Sequence, residues 1–231
     1  MIYITGDTHG QFYRIESFCK QNHTVKEDIM IILGDAGINY SMNTFDKKLK
    51  DMLKKIPITF LCIHGNHEQR PEEIDSYEEI EWNGGIVYSE KKYPSILFAK
   101  DGQVYDFEGK KAIAIGGAYS IDKFYRLSRS LPWYNNEQPS DKIKEEVEKQ
   151  LNRYQWKMDL VLSHTVPLKY EPREVFLPYI AQAFVDKATE MWLDEIEENL
   201  EYKHWYAGHY HTEKKVDNLH IMFEDIEKLF V

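Results

Sequence analysis

Five short polar segments in this chain combine residue types and spacings that suit metal chemistry. They are Asp7 and His9 in Gly-Asp-Thr-His-Gly, Asp35 in Gly-Asp-Ala-Gly, Asn66 and His67 in Gly-Asn-His-Glu, His164 in Ser-His-Thr, and His209 and His211 in Gly-His-Tyr-His. Any one of them alone reads as a turn, because Gly-Asp and Gly-Asn are ordinary turn dipeptides. Asp-x-His and His-x-His are sharper: alternate residues of an extended segment point the same way and can share an ion. The donors are carboxylate, amide and imidazole without thiolate, which suits manganese, iron or zinc. There are more of them than one four-coordinate ion needs, and the number matches two ions sharing a bridging carboxylate.

Such residues act together only if the fold brings their segments to one place. Each segment ends an apolar run: Ile2 to Thr5, Ile29 to Leu33, the run opening at Ile58, Asp159 to Leu162, and Lys203 to Ala207. Between the first three, Phe12, Ile15 and Cys19, then Phe45, Leu49 and Leu53, recur at helical spacing, with Ser41 or Asn43 available as a cap. Continuous apolar strands alternating with helices imply a parallel sheet covered on both faces. Loops at the carboxyl ends of such strands are where side chains converge on a ligand.

From Ile86 to Gly117 short β-rich runs are punctuated by Asp101-Gly102 and Glu108-Gly109, which predict hairpins and an antiparallel middle. Residues 118–138, aromatic and polar with no clean period, read as an irregular, lid-like excursion. Ser140 predicts an N-cap for a helix carrying Ile143, Val147 and Leu151, and a second helix is expected over Asp186 to Leu200. Val216 to Phe223 reads as a closing hairpin turning at Asp217-Asn218. No linker or repeat interrupts the chain, so a single domain over 1–231 is expected.

The 231 residues, 42 % of them hydrophobic, can fill a sizeable core. A formal net charge of −10 gives no global attraction to anionic membranes or phosphate backbones, so long duplex nucleic acid is not an expected partner. Cys19 and Cys62 lack the spacing of a zinc site or a disulfide framework and read as buried free thiols. No apolar run approaches the roughly 18 residues that span a bilayer, so a cytoplasmic protein without membrane contact is expected. Nothing in the sequence sets an oligomeric state.

In order, the segments GDTHG, GDAG, GNHE, SHT and GHYH resemble the motif series of the calcineurin-like metallophosphoesterase superfamily, over nearly the whole chain. The resemblance implies a four-layer αββα sandwich of two mixed β-sheets flanked by helices, with a dinuclear metal centre at one edge. It implies a metal-dependent hydrolase acting on a phosphomonoester or phosphodiester by attack of a metal-bridging hydroxide. By motif, one divalent ion would take Asp7, His9 and His211 and the other Asn66, His164 and His209, with Asp35 between them. Manganese is the expected metal, with iron and zinc as alternatives. His67 matches the catalytic histidine that protonates the leaving group or stabilises the transition state.

The protein Ser/Thr phosphatase branch continues its second motif as GD-x-VDRG, where this chain has GDAGINY. The carboxylate that orients the histidine and the arginine that grips phosphate are thus missing. Among Arg70, Arg126, Arg129 and Arg173, Arg126 and Arg129 are the expected phosphate clamp, because they lie in the excursion. The other readings are a phosphoprotein phosphatase or a nucleotide or cyclic-nucleotide phosphodiesterase specifically, and a non-catalytic scaffold of the same fold. His23, His64, His204, His220 and Glu68 read as structural or surface residues.

Overall fold

The structure, a computed structural model, describes residues 1–229; the last two residues of the expected 1–231 domain lie outside the described residues. Strands β1 (Ile2–Thr5), β2 (Ile29–Ile32) and β3 (Thr59–Cys62) are parallel and in register, with Thr5, Ile32 and Cys62 side by side at one edge. Their following loops therefore leave the sheet together. Helices α1 (Tyr13–Asn22) and α2 (Thr44–Leu53) make the crossovers. Asn43 rather than Ser41 caps α2, its side-chain oxygen accepting from the Phe45 N–H at 2.7 Å.

Strands β4 (Tyr77–Trp82), β5 (Gly85–Glu90) and β6 (Ile96–Ala99) extend this sheet, with β6 parallel to β3 and antiparallel to β5. Asn83-Gly84, both at positive φ (46° and 81°), turn the β4–β5 hairpin. Asp101-Gly102 does not make the predicted hairpin. It carries the chain from the first sheet to the second, because β6 already has a neighbour on each side. Glu108-Gly109 does turn a hairpin, between β7 (Val104–Phe107) and β8 (Lys110–Ile115). The middle of the chain is therefore only partly antiparallel: β6 pairs parallel with β3, and β8 with the next strand, β9 (Lys157–Ser163).

The excursion is not wholly irregular, since it holds the short helix α3 (Lys123–Ser128). Helix α4 (Asp141–Arg153) follows with Ser140 as its cap, and α5 (Ala188–Asn199) lies between β9 and β10 (Glu201–Ala207). Strands β11 (Lys214–Val216) and β12 (Leu219–Ile221) form the closing hairpin, and β13 (Ile226–Lys228) returns to pair with β1. The two sheets run β13-β1-β2-β3-β6-β5-β4 and β11-β12-β10-β9-β8-β7.

Period-two alternation explains why the central strands are apolar on both faces. Ile4, Ile31 and Leu61 face Ala112, Ala114, Leu160 and Leu162 between the sheets. Their neighbours Tyr3, Met30, Ile32 and Phe60 pack on Phe12, Ile15 and Cys19 of the α1 layer. On the far side Ile113, Val161 and Trp205 meet Val147 and Leu151 of α4 and Trp192 and Ile196 of α5. The result is the αββα sandwich, each fully buried Ile or Leu contributing about 1.5–3 kcal/mol.

Candidate metal centre

The loops after β1, β2 and β3 meet those after β9 and β10 at one edge of the sandwich, and they interlock through backbone groups. The His9 and Gly10 N–H groups donate to the carbonyls of Asp35 (2.7 Å) and Ala36 (2.9 Å), and the His67 N–H donates to Asp35 Oδ1 (2.8 Å). The two sheets are joined by the His209 N–H donating to Asp7 Oδ1 at 2.9 Å. Approach this close explains the glycine before Asp35 and before His209. A Cβ on Gly34, which sits at φ 98°, would enter the His164 imidazole, and one on Gly208 would enter the Asp7 carboxylate.

Two inward-facing donor groups result. In the first, Asp7 Oδ2 is buried without a hydrogen-bond partner and faces His211 Nε2 at 3.2 Å and His9 Nε2 at 3.6 Å. In the second, Asn66 Oδ1 lies 2.8 Å from His164 Nε2 and 3.0 Å from His209 Nδ1. Asp35 Oδ2 stands between them, 3.8 Å from both His9 Nε2 and His164 Nε2.

The second group tests the fit of a cation. His164 Nδ1 lies 2.8 Å from the Leu33 carbonyl, so it carries the proton and leaves the Nε2 lone pair facing inward. The Asn66 amide donates to Ser120 Oγ at 2.8 Å, which turns its carbonyl oxygen inward as well. Acceptors facing acceptors are stable only with a positive centre among them, and the residues therefore fit a metal ion. Among the described residues, Asp7, His9 and His211 can likewise share one ion, as can Asp7, Asp35 and His164.

Four of these residues adopt left-handed backbone: His9 (φ 46°), Asp35 (46°), His209 (70°) and His211 (49°). Each such position costs of order 1 kcal/mol, and strain of this kind concentrates at functional sites. Asp7, Asp35 and His209 hold the protonation states that ligation needs, whereas His9 is held protonated and would release that proton to a bound ion. Burial would raise the Asp7 carboxyl, but the adjacent His211 and His9 rings hold it well below the usual range. Burial similarly opposes the ionised form of Asp35, and His164 and His67 outweigh it. Burial pushes His209 down to about 3, leaving the neutral imidazole a metal needs, while Asp7 and Asp35 overcome burial to raise His9 to about 9.

His67 lies beside these groups, its ring nitrogen within 4.8 Å of donor atoms of His9 and Asp35, so that these three can also share an ion. The His67 ring stacks on Tyr40 (centroids 6.3 Å apart), meets the His9 ring edge-on at 5.4 Å, and places Nε2 at 3.8 Å from Asp122 Oδ1. Asp122 belongs to the excursion, as do Ser120 and Arg126. Arg126 is 1 % exposed, with its guanidinium 5.3 Å above the Tyr40 ring and Nη1 at 3.5 Å from Ser120 Oγ; its Nε and Nη2 have no partner.

Arg129 is placed differently. It is exposed, lies over Tyr125, and among the described residues makes no hydrogen bond or ion pair to a candidate ligand. Arg70 is committed to Asp101, and Arg173 is exposed. Glu68, pushed up to about 8 by burial and Asp35, accepts from the Gly37 N–H and ties two loops together.

The residues that sequence reasoning missed are those without motif spacing. Asp122 and Ser120 are examples, and so is Arg14 of α1, which donates to the Asp7 and Phe223 carbonyls (2.7 and 2.9 Å) and braces the first loop. A cavity of about 470 Å³ opens onto His9, His67, His209 and His211 and runs between Tyr119–Asp122 and the loop before α5.

A family model, calcineurin-like phosphoesterase, matches residues 1–213. Among solved structures, the phosphopantetheinyl hydrolase PptH of Mycobacterium tuberculosis is similar at 12 % identity and a TM-score of 0.51, covering 96 % of this chain and 87 % of its own. Another crystal structure is similar at 11 % identity and a TM-score of 0.53, covering 96 % and 88 %. At these identities the likeness is one of fold. No curated protein matches the chain.

Proposed function

The chain belongs to the calcineurin-like phosphoesterase family, whose members are metal-dependent hydrolases of phosphoric esters, and on that premise we propose how its own residues divide the work. Asp7, His9 and His211 hold one divalent ion, Asn66, His164 and His209 hold the second, and Asp35 serves both. The observation that carries this reading is the pair of inward-facing donor groups with Asp35 between them. Manganese is the metal we favour for carboxylate, amide and imidazole donors, ahead of iron and zinc. When bound, two such ions supply an acidified water near neutral pH and positive charge for the phosphoryl oxygens.

The remaining steps belong to the protein. His67 delivers a proton from its ring to the departing alkoxide. Asp122, 3.8 Å from His67 Nε2, positions that ring in place of the carboxylate missing after Asp35. Arg126 takes a phosphoryl oxygen with its free Nε–H and Nη2–H groups. A cytoplasmic location fits Cys19 and Cys62, both buried free thiols, and no described helix is long and apolar enough to cross a membrane.

The test is metal analysis together with hydrolysis of 4-nitrophenyl phosphate and bis(4-nitrophenyl) phosphate in added manganese. About two ions per chain and turnover of at least one ester are expected, the faster ester identifying the monoesterase or diesterase role. Metal-loaded protein inert on both would refute the proposal.

A further inference from the structure

One part of the cavity's lining, called the arm below, is left unused by the chemistry above. Its walls are Ile121 of the excursion and Val175, Phe176, Leu177 and Val185 of the loop before α5. Phe176 lies flat against Tyr210, with centroids 6.1 Å apart and planes at 17°. Ile121, Val175 and Leu177 line the arm yet stay 41 %, 39 % and 41 % exposed. Apolar side chains left in water inside a cleft are stabilised by an apolar ligand that covers them.

The polar groups of the arm narrow the choice. Asp122, Glu171, Asp186 and Glu190 face a single lysine, Lys187, whose Nζ is already paired with Glu171 at 2.5 Å. Glu190, in the first turn of α5, is 4 % exposed; Oε1 accepts from the Thr165 hydroxyl at 2.8 Å, and Oε2 has no partner. Burial pushes its carboxyl up to about 7, the behaviour of a group short of donors. A ligand N–H would supply the missing donor. A second phosphate would instead meet carboxylates, and the guanidinium of Arg126 is used by the reacting phosphoryl group.

We propose that this arm takes the alcohol moiety of the ester, an apolar body carrying an amine or amide N–H and no further phosphate, with Glu190 as the specificity-determining residue. The inference rests on the phosphoesterase reading above. Its test compares phenyl phosphate with its 4-aminomethyl and 4-carboxy derivatives in kcat/KM, using manganese-loaded protein. The aminomethyl ester is expected to exceed the carboxy ester by about tenfold, mostly in KM, and Glu190→Gln to bring the ratio to within about threefold.

Calorimetry of 4-hydroxybenzylamine and 4-hydroxybenzoate binding to wild type and to the same variant reads the preference without turnover. Equal kcat/KM for the charged pair, preference for the carboxylate, or a ratio unaffected by Glu190→Gln overturns the inference. If none of these monoesters is hydrolysed, the phosphoesterase reading is decided by the bis(4-nitrophenyl) phosphate assay above, and the calorimetric preference still decides this one.

Discussion

Arg126→Met should move stability and activity in opposite directions. The guanidinium is 1 % exposed, yet its protein partners are weak: Ser120 Oγ at 3.5 Å and Asp122, itself 42 % exposed, at 3.9 Å. Replacing a buried charge by an apolar side chain of similar volume is often neutral or stabilising by about 1–4 kcal/mol, and that is the expected change in unfolding free energy. With substrate bound, the free Nε–H and Nη2–H each gain a charged acceptor worth about 1.5–3 kcal/mol before reorganisation. Loss of one such electrostatic contact typically removes about 2.7–4 kcal/mol, so kcat/KM should fall by about 10²–10³. Urea unfolding and turnover of 4-nitrophenyl phosphate give the two numbers. Inorganic phosphate adds a third, because ligand at about 100 times Kd stabilises by about 2.7 kcal/mol and the variant should gain less at the same concentration. A variant that is less stable and keeps kcat/KM to within about threefold would show Arg126 to be a structural strut, and the clamp argument would fail.

Asp35→Asn should lose bound metal and turnover together, as read by elemental analysis and ester hydrolysis, because Asp35 Oδ2 lies between both donor groups. His67→Ala should retain metal content while kcat drops by about 10²–10⁴, the usual range for a lost general acid. Gly34→Ala should lower the melting temperature by several degrees and weaken metal binding, since its Cβ would displace the His164 imidazole and its φ of 98° disfavours any side chain. Glu190 should give a pH signature: burial raises its carboxyl from 4.5 to about 7, so the folded state favours the proton. The stability it contributes is full below about pH 4.5 and is lost as pH rises through about 7, by about 3 kcal/mol, and urea unfolding across that window should show a shallower decline in Glu190→Gln.

The layers of this fold were legible because the central strands carry two signals at once. Ile29 to Ile32 is apolar throughout since alternate residues serve the inter-sheet core and the helix layer, and that pattern with intervening helices leaves little choice but a covered parallel sheet. Turn dipeptides were a poorer guide. Glu108-Gly109 and Asp101-Gly102 look alike, but only the first joins neighbours; whether a turn closes a hairpin depends on whether the strand before it still has an open edge, which is a long-range property. Asn83-Gly84, the stronger hairpin signal, turns β4 into β5, yet β4 is mostly exposed and lacks the apolar run that marks a strand.

At the site, legibility follows the backbone. The motif residues sit where strands in register end, and their glycines are demanded by loops that pass through one another's side-chain space, so residue type and spacing together disclose them. Arg14, Ser120 and Asp122 act from segments with no such constraint and leave no pattern. The text after Asp35 lacks a carboxylate and an arginine, and the fold brings both from far downstream: Asp122 and Arg126 lie four residues apart, a spacing that puts them on one face of a helical turn beside His67. On the proposed reading, the excursion expected to be lid-like also supplies a wall of the site beside His67. That division has a physical basis. The donor groups are held by interlocked backbone that tolerates little change, whereas residues proposed to orient His67 and to grip phosphate need only reach the same volume, and can arrive from any segment that passes over it.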